Sequence, residues 1–178
     1  MKPTMQTYIL SSNAVLRANF DRRRELTEPL LQAWRKAPKG QILLIASGSS
    51  YNSCICAKRW MEKVMKQSVR VVTPFTFVHY ENSLEDVGLC AVLSQSGCST
   101  NAIEALRLIK RSGRQAIGIT GNPHSDFQQE ADQVIDWGVG EECIGYVTQG
   151  VVSLILFLWL FALRMAEEQQ HLTLSQLQ

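Results

Sequence analysis

Short apolar runs alternate with helical stretches along most of this chain, and that alternation limits the possible folds more than any other feature. The runs lie at residues 41–46, 69–72, 89–93, 115–120 and 133–136. Their apolar residues are continuous, as in strands that are buried on both faces. The sequence therefore predicts an α/β fold with a doubly wound, five-stranded parallel sheet flanked by helices.

Helices are predicted before, between and after these strands. Apolar residues recur at helical spacing from Ser12 or Asn13 to Lys36, which indicates an amphipathic helical arm that ends before the turn at residues 38–40. Further helices are expected at about 51–66 and 100–111. We divide the chain into an N-terminal arm (1–40), a sheet domain (41–170) and a tail (171–178).

Composition supports one globular unit and excludes several classes of protein. The chain has 178 residues, of which 46% are hydrophobic, and a formal net charge of +2. The basic residues are scattered except at residues 22–24, so a nucleic-acid partner is not expected. The 5 cysteines form no C-x-x-C pair, which favours reduced thiols, a cytoplasmic protein and no bound metal.

The most apolar segment, residues 151–163, is too short to span a membrane, which takes about 20 residues. A buried core or interface helix is the better interpretation, and no membrane association is expected. The segment carries more apolar surface than one side of a lone domain needs to cover. We therefore expect a homodimer or higher homo-oligomer that associates through this helix and the helical arm.

A polar turn after the third strand has the properties of a phosphate site. Ser94, Ser96 and Ser99 offer hydroxyl groups, Gly97 lets the backbone approach an anion, and a helix N-terminus follows. Taken alone, the serines are equally consistent with helix caps and turn formers.

Several segments together resemble the sugar isomerase (SIS) family, in particular the first isomerase subdomain of its glucosamine-6-phosphate synthases. The two that carry most of the likeness are Ser47-Gly48-Ser49-Ser50-Tyr51-Asn52-Ser53 and Ser94-Gln95-Ser96-Gly97. Weaker likeness lies at residues 7–8, 13–14, 117–125 and 142–148, so the resemblance covers nearly the whole chain.

The resemblance implies binding of a sugar phosphate without any cofactor. The positions expected to contact the ligand are Gly48, Ser49, Ser50, Ser94, Gln95, Ser96, Gly97, Ser99 and Thr148. It further implies an aldose–ketose isomerase, or a deglycase or deaminase acting on an aminosugar or sugar–amino acid 6-phosphate. The alternative is a sensing module that binds the ligand and regulates a partner. Two positions depart from the family pattern: Cys98 stands where Glu is usual, and Gln149 where a Lys is expected.

The catalytic groups are less evident. Family isomerases move a proton between C1 and C2 with a carboxylate base and a ring-opening histidine, and the resemblance places these groups mostly in a second subdomain, of which the tail would be the start. Within this chain Glu142 is the candidate base, with a solvated loop carboxylate as the alternative. His79 and His124 are candidate ring-openers, each with a structural alternative, and Cys98 is a candidate reactive thiol at a helix N-terminus.

Overall fold

The computed structural model describes residues 3–171, in which seven helices surround one sheet. The helices are α1 Met5–Asp21, α2 Arg23–Lys36, α3 Gly48–Met65, α4 Pro74–His79, α5 Thr100–Arg111, α6 Phe127–Glu130 and α7 Gln149–Glu168. The strands are β1 Gln41–Ala46, β2 Val69–Val72, β3 Val87–Ser94, β4 Ile117–Thr120 and β5 Gln133–Asp136.

The five strands form one parallel sheet in the order β2-β1-β3-β4-β5, which confirms the predicted fold class. Both faces are covered, because alternate residues of the same strand enter two different cores. Ile42 and Leu44 pack with residues of α2, α3 and α7, whereas Leu43 and Ile45 pack with residues of α4, α5 and α6. Burial on both faces is the reason why the strands show no polar alternation.

The N-terminal arm differs from the predicted single helix. It consists of two helices that meet at Arg22, and α1 begins at Met5, well before Ser12. A capping box starts α1, in which the Thr4 hydroxyl accepts from the Thr7 amide and the Thr7 hydroxyl accepts from the Thr4 amide. The first turns of α1 are largely exposed, and their apolar residues Met5, Ile9 and Leu10 are exposed as well, so the helix begins outside the packed part of the chain.

The second helix of the arm is fixed to α7 by both burial and charge. Leu30 and Leu31 are buried in the same core as α7. The Arg164 guanidinium donates to Glu28 at 2.8 Å, and Arg35 bridges Glu28 and Glu168. The boundary between arm and domain at residue 40 remains a prediction, and the tail beyond His171 lies outside the described residues.

Several smaller boundaries were missed. The short helices α4 and α6 were not predicted, β3 is longer at both ends than residues 89–93, β4 is shorter than 115–120, and α3 begins at Gly48 and not at residue 51. Short helices of four to six residues offer too few turns for a periodic pattern.

Among the described residues, α7 alone is long and apolar enough to cross a membrane by length and composition. Within its most apolar window, 61% of the residues are buried inside the protein. Such burial is typical of a core helix, which agrees with the interpretation of residues 151–163.

Candidate active site

The predicted ligand-binding turns meet at the point where the strand order reverses. β1 is followed along the chain by β2 on one side, while β3 lies on its other side and is followed by β4 and β5. Ala46, the last residue of β1, pairs with Leu93, and Ser94 is the last residue of β3, so Ser47 and Ser94 lie at the same level. In open α/β sheets this switch point is where ligands bind.

The turn after β3 is stabilised by its own serine hydroxyls. The Gly97 amide donates to the Ser94 hydroxyl at 3.2 Å, and the Cys98 amide donates to the Ser96 hydroxyl at 3.3 Å. Gly97 adopts a φ of +66°, a conformation that favours glycine. We call residues 94–99 the phosphate loop. Ser94 and Ser96 act as turn formers in it, and each hydroxyl retains a proton to donate.

The loop leads directly into the N-terminus of α5. Ser99 is the N-cap residue, but its hydroxyl makes no capping bond to the helix. The amide groups of the first helical turn have no intrahelical acceptor and lie at the positive end of the helix dipole. The interpretation of the serines as helix caps therefore fails for Ser99. Its hydroxyl group and the adjacent amide groups are free to bind an anion.

Ser125 packs against the phosphate loop at Gly97. The sequence did not single out this residue as part of the site. Its hydroxyl oxygen is buried and finds no hydrogen-bond partner among the described residues. A Cβ atom added to Gly97 would lie 1.9 Å from that oxygen. Glycine is thus required at position 97 for two reasons. The backbone has a positive φ, and the turn between β4 and α6 lies too close to leave room for a side chain.

The main chain of Gln95 is held against the end of β4. Its carbonyl accepts from the Gly121 amide and from the Thr120 hydroxyl, each at 3.2 Å. Its side-chain amide donates to the carbonyl of Gly140 at 3.0 Å. The side chain therefore reaches towards the segment that precedes α7.

The second serine-rich segment forms the start of α3. Ser47 has an extended conformation as N-cap, and Gly48, Ser49 and Ser50 form the first helical turn. Gly48 is exposed, Ser49 is half-buried and Ser50 is buried. A second helix N-terminus therefore points to the same switch point as that of α5, with its positive dipole end towards a ligand.

The structure places Glu142 in a role that neither interpretation anticipated. The side chain is buried, with 8% exposure, so the solvated alternative is wrong. One carboxylate oxygen accepts from the amide and hydroxyl of Thr148, each at 3.0 Å, and the other accepts from the Gly150 amide. Glu142 thus caps the N-terminus of α7, where a negative charge is stabilised by the helix dipole.

Thr148, the predicted sugar contact, is the N-cap residue of α7 and is half-buried. Its hydroxyl donates to Glu142, so only its lone pairs are available to a ligand. The neighbouring Gln149 is buried, and its side-chain oxygen accepts from the Ser11 hydroxyl at 2.7 Å. The segment 140–150 is therefore connected to α1 and α7 as well as to the phosphate loop.

The remaining candidates are exposed. Cys98 lies in the phosphate loop, with its thiol 3.3 Å from the Ser96 carbonyl oxygen. His124 lies in the turn after β4, and His79 contacts Phe75 at the end of α4, with ring centroids 4.6 Å apart. Within residues 3–171 there is no cluster of metal-ligating side chains.

Comparison with protein families decides the relationship. The model of the SIS domain matches residues 37–164, which is most of the chain and includes both serine-rich helix starts. The chain belongs to the SIS domain family. The predicted family is thereby confirmed.

Individual relatives agree with this assignment. The chain is 26% identical over its whole length to the glutamine–fructose-6-phosphate aminotransferase (isomerizing) of Clostridium tetani, of which it spans 28%. The corresponding enzyme of Caldanaerobacter subterraneus is also 26% identical over 93% of this chain, which covers 26% of that enzyme. This SIS domain thus spans about a quarter of the length of these curated relatives.

Solved structures show the same fold. The C-terminal domain of glucosamine-fructose-6-phosphate aminotransferase from Francisella tularensis superimposes with a TM-score of 0.83 at 23% identity, over 99% of this chain and 51% of that chain. Glucosamine-6-phosphate deaminase from Thermotoga maritima does so with a TM-score of 0.65, also at 23% identity, over 88% of this chain and 49% of that one.

Proposed function

We propose that this SIS domain binds a sugar phosphate, with the phosphate held by the phosphate loop and the sugar extending towards Thr148. The observation that supports this most strongly is the uncapped N-terminus of α5 at the switch point of the sheet. Amide groups there donate to an anion, and the Ser94, Ser96 and Ser99 hydroxyls add donors without adding charge. The start of α3, with Gly48, Ser49 and Ser50, bounds the same crevice and contributes a second dipole end.

We propose further that the domain belongs to an enzyme that acts on a sugar phosphate, either an aldose–ketose isomerase or a deglycase or deaminase. The names of the relatives support this class of chemistry, since they are aminotransferases of fructose 6-phosphate and a glucosamine-6-phosphate deaminase. Such reactions transfer a proton at C2 and need no metal. Glu142 is the candidate base near the site, and a cytoplasmic location is part of the proposal.

A second candidate function, a sensing module without turnover, is favoured by the contacts of Glu142. Its carboxylate already accepts three hydrogen bonds from the start of α7. These bonds occupy three of the roughly four acceptor sites of the carboxylate and hold both oxygens against the first turn of α7, whereas a general base must place a lone pair within about 3 Å of the proton that it removes. The domain alone is therefore expected to bind sugar phosphates and to turn them over slowly or not at all.

The binding proposal is tested by titrating fructose 6-phosphate and inorganic phosphate into the protein in a calorimeter. Replacing Ser94, Ser96 and Ser99 together by alanine removes the hydroxyl donors, and we expect both affinities to fall at least tenfold. The exposed Ser83→Ala variant is the control and should bind as the wild type does. Undiminished affinity in the triple variant would show that the site lies elsewhere.

We also propose that the domain forms a homodimer through α1 and α7. An apolar groove of about 660 Å³ lies between these helices and is lined by residues that include Leu16, Phe20, Ile155 and Trp159. A second copy of the chain presents the same apolar groove, so a two-fold pairing would bury both grooves against each other. Phe20→Glu should therefore give a monomer in sedimentation, whereas Phe75→Glu, equally exposed elsewhere, should not. A monomeric wild type at high micromolar concentration would refute this.

A further inference from the structure

The side-chain amide of Gln95 occupies a slot whose walls are main chain. A Cβ atom on Gly121 would lie 2.8 Å from its nitrogen, and one on Gly150 would lie 2.3 Å from its oxygen. The nitrogen donates to the carbonyl of Gly140. The amide can occupy this position only because residues 121 and 150, on either side of it, are glycines.

The amide oxygen in this slot is fully buried and has no hydrogen-bond partner among residues 3–171. A phosphate only accepts hydrogen bonds, so the group of Gln95 that could contact it is the NH2 group, and one N–H of that group is already committed to the Gly140 carbonyl. A buried acceptor without a partner is unfavourable, so the bond to Gly140 and the packing of the amide between the two glycines must offset that cost.

The slot joins two parts of the site. Gln95 is the second residue of the phosphate loop, and its main chain is fixed to β4. Gly150 is the second residue of α7, and its amide donates to Glu142, which also accepts from the amide and the hydroxyl of Thr148. The side chain of Gln95 contacts Gly150, so a displacement of the phosphate loop at Gln95 also displaces the turn that carries Thr148.

We propose that the side chain of Gln95 is a positioning group that couples the phosphate loop to the first turn of α7, and that it is not a ligand for the phosphate. An anion on the loop restrains the main chain at residues 94–99. Through the slot, that restraint fixes Gly150 and Thr148 in the orientation in which Thr148 meets the sugar. The inference deepens the proposed function and rests on it for the identity of the ligand.

The coupling is tested first without ligand, by hydrogen–deuterium exchange. Gln95→Met fills the slot with a side chain of similar length but removes the bond to Gly140. We expect exchange at the Thr148 and Gly150 amides to become about fivefold faster, the effect of losing roughly one net hydrogen bond. Gly150→Ala, whose added Cβ atom displaces the side-chain amide of Gln95 from the opposite wall, should give the same result at the Thr148 amide. The exposed Gln129→Met should change neither amide.

The second measurement compares two ligands. In Gln95→Met, inorganic phosphate should bind within about twofold of wild type, whereas fructose 6-phosphate should bind about fivefold more weakly, because only the sugar end needs Thr148 in place. If the affinities for both ligands fall equally, Gln95 is a phosphate ligand and the inference is overturned. Unchanged exchange at Thr148 and Gly150 would also overturn it. If wild type binds neither ligand, the proposed function fails, while the exchange result still decides the coupling.

Discussion

Replacing Glu142 by glutamine should destabilise the protein, because the carboxylate is the cap of α7. The carboxylate accepts from the amide and hydroxyl of Thr148 and from the amide of Gly150. A glutamine has one acceptor oxygen, so its NH2 group must face either Thr148 or Gly150, donor against donor. Leaving one buried amide unpaired costs about 1–3 kcal/mol, and losing the negative charge at the helix N-terminus costs about 0.3–1 kcal/mol more.

The expected loss is therefore about 1.3–4 kcal/mol, which for a chain of this size lowers the Tm by about 3–16 °C. Thermal and urea unfolding at pH 7, followed by circular dichroism, measure it. Glu141→Gln is the matched control, since the adjacent carboxylate is exposed and its loss should change stability by less than about 0.5 kcal/mol. If the Glu142→Gln variant unfolds at the same temperature and urea concentration as the wild type but no longer turns over a sugar phosphate, the capping role is refuted and Glu142 is identified as a base.

Two further predictions concern pH and thiol chemistry. Arg35 and then Arg164 lower the pKa of Glu28 from its ordinary value of 4.5 to about 2, so the stability that this carboxylate adds is present above pH 4.5 and is lost as the pH falls towards 2. The wild type should accordingly lose its advantage over Glu28→Gln across that range in urea unfolding, and 1 M NaCl should shrink the advantage at pH 7 because the pair is partly exposed. Burial raises the pKa of two thiols to about 12, those of Cys54 and Cys90. A thiol reagent should therefore modify three cysteines in the folded protein, Cys56, Cys98 and Cys143, and all five after unfolding; reaction of all five under native conditions would contradict the buried packing.

The sheet could be predicted from the sequence because its signal is local. Residues such as Ile42 and Leu43 enter opposite cores, and each core demands an apolar side chain, so a strand appears as an unbroken apolar run. The start of α1 could not be predicted in the same way. Its first turns are exposed and its capping box uses Thr7 in the place where glutamate or glutamine is usual.

The candidate site was predictable only where its groups are neighbours in sequence. The serines of the phosphate loop and the glycine at residue 97 form one segment, so their pattern was visible. The cap formed by Glu142 depends on amides that lie six and eight residues further on, beyond a bend that no periodicity marks. The slot around Gln95 depends on Gly121, which follows β4, and on Gly150, which lies in the first turn of α7. Side-chain orientation of this kind follows from tertiary packing, and sequence pattern does not contain it.

The two departures from the family pattern act in opposite directions on binding and on catalysis. Cys98 stands in the phosphate loop where the resemblance implies a glutamate, so a negative charge that would repel the phosphate is missing, and the N-terminal dipole of α5 acts on the anion without opposition. Gln149 stands where a lysine is expected, and its amide is already paired with Ser11. A cation that could stabilise charge developing on the sugar is therefore lost. The same chain is thus expected to hold the phosphate end of its ligand well and to support proton transfer poorly, which is the combination that the sensing function requires.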